Sequence, residues 1–171
     1  MTDSAPRDCG TCTACCEHLN IDRDGFTKPA GQLCPHCTGT GCAIYERRPQ
    51  VCRDYFCGWQ QLTQLDEDWR PDRSGVMLMP VKDVEGFASP EGMEFMLVGG
   101  AAALSRPGFA EYVALLVSRR VATFLSIGGA RALLNPFIAP AGTNMARVRA
   151  VLLQLHAGAT THRDSPTLPP L

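Results

Sequence analysis

The chain lacks a basic field. Lys and Arg number 16 against 17 Asp and Glu, a net charge of −1. Divided at residue 70, the N-terminal part carries 7 basic and 10 acidic residues and the remainder 9 and 7. Neither part presents the concentrated positive charge that grips a phosphate backbone, so no nucleic-acid partner is expected. A long apolar run is missing as well. Phe109 to Ile127 comes nearest, but Glu111, Arg119 and Arg120 interrupt it, and such charges are costly in a bilayer core. Met1 to Arg7 offers no apolar stretch for a secretory signal. The expectation is a soluble cytoplasmic protein with no membrane partner, in a compartment that keeps thiols reduced. Catalytic signatures are scarce too. No Ser/His/Asp arrangement or pair of carboxylates stands out, and neither G-x-G-x-x-G nor a P-loop occurs.

The last absence is positional: no cysteine follows Cys57, although the chain has nine. They are Cys9, Cys12, Cys15, Cys16, Cys34, Cys37, Cys42, Cys52 and Cys57. A core using cysteine as a small apolar residue would scatter them. An odd total fits a disulfide framework poorly, as does a reducing compartment. Metal ligation by thiolates is the reading that accounts for the clustering.

The spacings carry chemistry. Cys9, Cys12 and Cys15 form C-x2-C-x2-C, and Cys16 follows directly. Two intervening residues let a tight turn aim both sulfurs at one metal while backbone N–H groups point at the sulfurs. Three thiolates so spaced, with a remote fourth, suit a [4Fe–4S] cluster. The pairs Cys9/Cys12 and Cys34/Cys37 would equally make a four-cysteine zinc site. Thiolates suit both metals, so the cofactor is an iron–sulfur cluster or Zn2+. Two four-ligand sites would use eight thiols, leaving one spare or bridging. A polynuclear thiolate cluster could take all nine. His18 and His36 lie beside the cysteines, but nine thiols already meet the need, so both read as surface or capping residues. His156 and His162 fall near the other end of the chain.

The cysteine-rich segment is residues 1–65; from Cys9 to Ile44 its large apolar residues besides cysteine are only Leu19, Ile21, Phe26, Leu33 and Ile44, too few for that stretch to fold alone. Binding a structural metal contributes roughly 10–16 kcal/mol of folding free energy. A metal that only staples this segment is therefore a serious reading. Turn residues between 17 and 33 predict a short hairpin or loop. Pro49 suits the first turn of a helix carrying Cys52 and Phe56, with Trp59 and Leu62 packed behind.

A composition shift at 66–75 marks a boundary, and residues 66–157 read as a small α+β body. Val76 to Val81, Phe95 to Val98 and Val121 to Ile127 are predicted strands, with a hairpin turn at Asp83 to Gly86. Phe109, Tyr112, Val113, Leu116 and Val117 share one helical face. Val148, Val151, Leu152 and Leu155 share another, behind a Thr143 or Asn144 cap and ending before Gly158. Residues 158–171 are predicted to be disordered. Leu97-Val98-Gly99-Gly100-Ala101-Ala102-Ala103-Leu104 and Ser126-Ile127-Gly128-Gly129-Ala130-Arg131-Ala132-Leu133 echo each other, and each reads as a strand–turn–helix corner. A Gly-Gly corner could present N–H groups to an anion, but the plain structural corner is favoured. The fold class is thus α+β, a loop-rich metal-binding N-terminal segment on a small α+β body.

The stretch Cys9-Gly10-Thr11-Cys12-Thr13-Ala14-Cys15-Cys16, with Gly41-Cys42-Ala43-Ile44-Tyr45-Glu46-Arg47-Arg48-Pro49-Gln50-Val51-Cys52-Arg53, resembles a known family. It is similar to the bacterial YkgJ-like cysteine-cluster proteins, described as zinc- or iron-chelating and related to flagellin lysine N-methylase. The similarity covers residues 9 to about 59. It implies that Cys9, Cys12, Cys15, Cys16, Cys42 and Cys52 are ligands, with Cys34, Cys37 and Cys57 fitting longer versions of the pattern. The methylase relation implies S-adenosylmethionine chemistry, for which the chain shows no binding motif. The leading expectation is a metal-binding protein. Its alternatives are a transferase or redox enzyme acting on a protein or peptide partner, and a thiolate metal-storage protein.

Overall fold

The computed structural model describes residues 7–23, 25–87, 89–138 and 144–161, side chains at 160 and 161 excepted. The chain is α+β and divides into two compact units, Met1–Met77 and Leu78–Leu171.

The first unit is built from short pieces because its turns come too often for anything longer. Helix α1 spans Ala14–His18 and carries Cys15 and Cys16. The turn residues after it fold into a hairpin, as the sequence predicts: β1 (Ile21–Arg23) pairs antiparallel with β2 (Phe26–Lys28) in the register Ile21↔Lys28, Asp22↔Thr27, Arg23↔Phe26. A 3-10 turn at Tyr45–Arg47 leads to α2 (Gln50–Asp54). Pro49 precedes that helix as its N-cap, and the helix stops at Tyr55, so Phe56 lies outside it and is exposed. The expected pairing of Cys52 and Phe56 on one helix face is therefore corrected. Helix α3 (Gly58–Gln61), a second 3-10 turn (Glu67–Trp69) and α4 (Pro71–Ser74) complete the unit, so residues 66–75 are part of it.

Burial within this unit is lopsided. Between Arg7 and Phe56 the one buried described residue is Lys28, 2% exposed. Apolar burial begins at Cys57 and continues through Trp59, Leu65, Trp69, Val76 and Met77. Trp59 donates its indole N–H to the Asp66 carbonyl at 2.9 Å, which closes the loop between them. The apolar core thus begins where the cysteine-rich part ends.

The second unit has an ordinary core. Strands β3 (Val76–Val81), β4 (Gly92–Leu97), β5 (Ala122–Ile127) and β6 (Ala130–Leu133) form one sheet in that order. The division between the units falls inside β3. β4 and β5 run parallel from Gly92↔Ala122 to Met96↔Ser126, which requires the crossover helix α5 (Phe109–Ser118) between them. A Cβ on Gly92 would stand 2.7 Å from the Ala122 carbonyl oxygen, so the strands approach this closely only with glycine there. β6 was not anticipated. Gly128 and Gly129 both take positive φ (56° and 93°) and turn the chain back into an antiparallel hairpin, Ile127↔Ala130. The second Gly-Gly echo is therefore a β-turn rather than a helix start, and the first opens a 3-10 helix, Gly100–Ser105.

Phe109, Val113 and Val117 are buried on α5, as the helical spacing predicts. Phe95 on β4 meets the rings of Phe109 (5.3 Å, 88°) and Tyr112 (5.9 Å, 87°) edge-on. Helix α6 (Met145–Thr161) adds Val148 and Leu152, and the Asn144 side chain caps it by accepting the Ala146 N–H at 2.8 Å. It runs through Gly158 rather than stopping before it. Thr143, the other cap candidate, and residues 162–171 of the expected disordered tail lie outside the described residues. No helix among the described residues is long and apolar enough to cross a membrane.

Candidate metal centre

All nine cysteines sit in the first unit as free thiols, Cys57 buried and the other eight half-buried. Backbone geometry brings them into two neighbourhoods. In one, the Cys12 N–H donates to the Cys9 carbonyl at 3.1 Å, the tight turn expected of C-x2-C. Cys57 joins through Gln60, whose Oε1 accepts the Cys57 N–H at 3.3 Å and whose Nε2 donates to the Arg7 carbonyl at 2.9 Å. The Arg7 guanidinium lies 5.0 Å from the Trp59 ring centre and anchors the same corner.

The other neighbourhood gathers around the loop after the hairpin. The Cys34 N–H donates to the Cys16 carbonyl at 2.8 Å, and the Cys37 N–H to the Cys34 carbonyl at 2.9 Å. Cys37 and Cys42 form an isolated antiparallel bridge. Arg53 of α2 donates to the Arg48 carbonyl at 2.9 Å and the Glu46 carbonyl at 3.4 Å, tying Cys52 to the segment that follows Cys42.

The electrostatics follow the same division. Burial, then repulsion from Cys57, Cys12 and Asp8, pushes the Cys9 thiol up to about 11. Cys12 and Cys57 are also raised by burial. Cys52 is raised by burial and then by Cys16, Cys34 and Cys42. Cys15 is the exception: a hydrogen bond from the Cys16 thiol lowers it, against burial and the fields of Cys9, Cys12 and Cys57. Cys16 is pushed far up by that same bond and by burial, and it hydrogen-bonds with Cys37 as well. Thiols that burial keeps protonated are poor nucleophiles, and the same protonation opposes metal binding until a cation displaces the proton. A bound metal deprotonates such a thiol outright.

Backbone N–H groups do point at sulfurs, and with a repeated offset. Cys12 accepts from Ala14, Cys37 from Gly39 (3.4 Å) and Cys57 from Trp59, each two residues on. Cys12 accepts a further N–H from Asp72 and Cys57 one from Gln60. These donors favour the thiolate form. Among the described residues, however, no group of three or more His, Cys, Asp or Glu side chains is placed so that it could hold a metal ion. Neutral thiols gain nothing by converging, whereas thiolates around a cation do. By element alone nine thiols suit a thiophilic metal, but their arrangement among the described residues forms no such site.

Two polar groups escaped the sequence reading. Lys28 Nζ donates to the carbonyls of Glu17 (3.0 Å), Pro29 (3.1 Å) and Gln32 (3.0 Å), a full set for an ammonium, and its charge bears on Cys16. The Tyr55 hydroxyl is buried with no hydrogen-bond partner, and the thiols acting on it are Cys57, Cys15, Cys9 and Cys12. Nothing in a Lys-Pro turn or a Tyr two residues before a cysteine marks either role in sequence. Of the histidines near the cysteines, His36 stacks on Phe26 at 6.2 Å, and His18 lies 3.9 Å from Glu17.

No family model, curated protein or solved structure matches the chain.

Proposed function

We propose that the protein binds metal through its clustered cysteine thiolates, as an iron–sulfur cluster or zinc, and works in the cytoplasm. One observation carries this reading: between Arg7 and Phe56 no apolar described residue is buried, yet eight cysteines are half-buried there. A stretch this long cannot offset its ordering entropy, about 1–2 kcal/mol per backbone residue, without a substitute for a core. A thiolate-bound metal supplies one at roughly 10–16 kcal/mol per structural site. The N–H donors at Cys12, Cys37 and Cys57 support the thiolate state such a metal needs.

Iron–sulfur leads zinc because the thiols exceed the four that a structural zinc site takes. When bound, an iron–sulfur cluster would supply one-electron chemistry, and zinc would supply rigidity or Lewis acidity. Protein purified without oxygen should be brown, absorb near 400 nm (about the region of thiolate–iron charge transfer, on the ligation of) and bleach on reduction. Colourless protein with stoichiometric zinc, even when expressed with ample iron, would replace iron–sulfur by zinc. Protein that takes up neither metal would end the proposal.

A further inference from the structure

We infer that the nine thiols serve two separate metal centres, one formed by Cys9, Cys12, Cys15 and Cys57 and the other drawn from Cys16, Cys34, Cys37, Cys42 and Cys52. This deepens the thiolate-metal reading above and rests on it. Each centre would take a thiophilic cation or small iron–sulfur cluster in a sulfur-only shell.

The first centre is defined by the Gln60 clamp and by the C-x2-C-x2-C spacing, which puts Cys15 in the first turn of α1 directly after the Cys9–Cys12 turn. One side chain holds both the Cys57 amide and the Arg7 carbonyl, so the last cysteine is brought to the start of the C-x2-C-x2-C turn. The second is defined by a chain of backbone contacts from Cys16 to Cys34, Cys34 to Cys37, and Cys37 to Cys42, with α2 tied in by Arg53. The seam lies between Cys15 and Cys16. Successive residues of a helix point about 100° apart, so these neighbours serve opposite groups although their thiols touch. That contact is also what a single polynuclear cluster would use, and the rival is decided by stoichiometry.

Each centre has its own polar attendant. The Tyr55 hydroxyl lacks a partner beside the first group, and a metal-bound thiolate is the acceptor that would satisfy it. Lys28 brings a buried positive charge to Cys16 in the second group. A thiolate centre is anionic, so an ammonium satisfied only by neutral carbonyls is placed where a negative charge would repay its burial.

The test is a Co2+ titration of the full-length chain, stripped of metal and kept from oxygen, read by thiolate-to-cobalt charge transfer and by native mass spectrometry. Two equivalents of cobalt are expected for the wild type. Cys57→Ser should lose one and keep the other, and Cys52→Ser should lose the complementary one. Because serine at these positions can unfold the segment, Tyr55→Phe provides an independent arm. It should keep both equivalents and shift the charge-transfer band only of the equivalent that Cys57→Ser abolishes. One equivalent, or three or more, in the wild type overturns the partition while leaving thiolate binding intact. An unchanged Tyr55→Phe spectrum overturns the first centre as assigned. A wild type that binds neither cobalt nor iron removes the underlying reading and the partition together.

Discussion

Stripping the metal should unfold the cysteine-rich stretch and leave the second unit folded. The magnitude follows from where apolar surface is buried. From Arg7 to Phe56 no apolar described residue is fully buried, so the hydrophobic contribution comes only from half-buried side chains such as Ile21, Phe26, Ile44 and Val51 and is small. What remains is a three-residue-strand hairpin, two helices of five residues and scattered turns. Isolated helices this short are unstable in water. If each centre contributes on the order of 10 kcal/mol, its loss equals the whole stability of a typical domain, about 5–15 kcal/mol. Amides between residues 9 and 57 should then exchange at close to unprotected rates. The second unit keeps Phe95, Phe109, Val113, Leu125, Val148 and Leu152 in its core, so its strands should stay protected. Hydrogen exchange with and without chelator, analysed by peptide mass spectrometry, makes the comparison within one sample. Equal protection of residues 9–57 in both states would refute the argument that metal substitutes for a core.

Three other outcomes are expected. Lys28→Met removes three ammonium hydrogen bonds to carbonyls and should cost about 1–3 kcal/mol, or roughly a 5- to 150-fold faster loss of metal to a competing chelator; release at the wild-type rate would show the ammonium to be dispensable. Phe95→Ala deletes a fully buried ring packed on Phe109 and Tyr112 and should destabilise the second unit by about 3–5 kcal/mol. Both tryptophans, Trp59 and Trp69, lie in the first unit, so this variant should shift the circular-dichroism transition more than the fluorescence transition. Burial raises the Tyr112 hydroxyl above its ordinary value of 10.0. The folded state holds that proton more tightly than the unfolded one, so the contribution is fully present below pH 10 and is lost as pH rises beyond it. Tyr112→Phe should flatten that alkaline decline in urea-unfolding midpoints.

The α+β class was legible because the later half obeys simple periodicities. β3 and the apolar face of α5 follow from a short apolar run and helical spacing. β6 was missed because Ala130, Arg131 and Ala132 carry no strand signature; its pairing is imposed by two glycines at positive φ. Helix α6 passes Gly158 because Gly158 is exposed and helical propensity alone does not end a helix packed at Val148 and Leu152. In the first unit the cysteine spacing announced tight turns, and the Cys9–Cys12 and Cys34–Cys37 turns are there. Grouping was not legible. That Cys57 sits with Cys9 depends on one glutamine side chain reaching across the fold, which no spacing rule encodes. The roles of Lys28 and Tyr55 are likewise tertiary, created by what the hairpin and α2 bring near them.

X-ray absorption at the metal edge of anaerobically purified protein tests the central claim most directly. The account predicts a first shell of sulfur alone, about four atoms at roughly 2.3 Å, with additional iron–iron scattering if the centre is a cluster. A first shell dominated by oxygen or nitrogen, or protein that carries no metal at all, would contradict it.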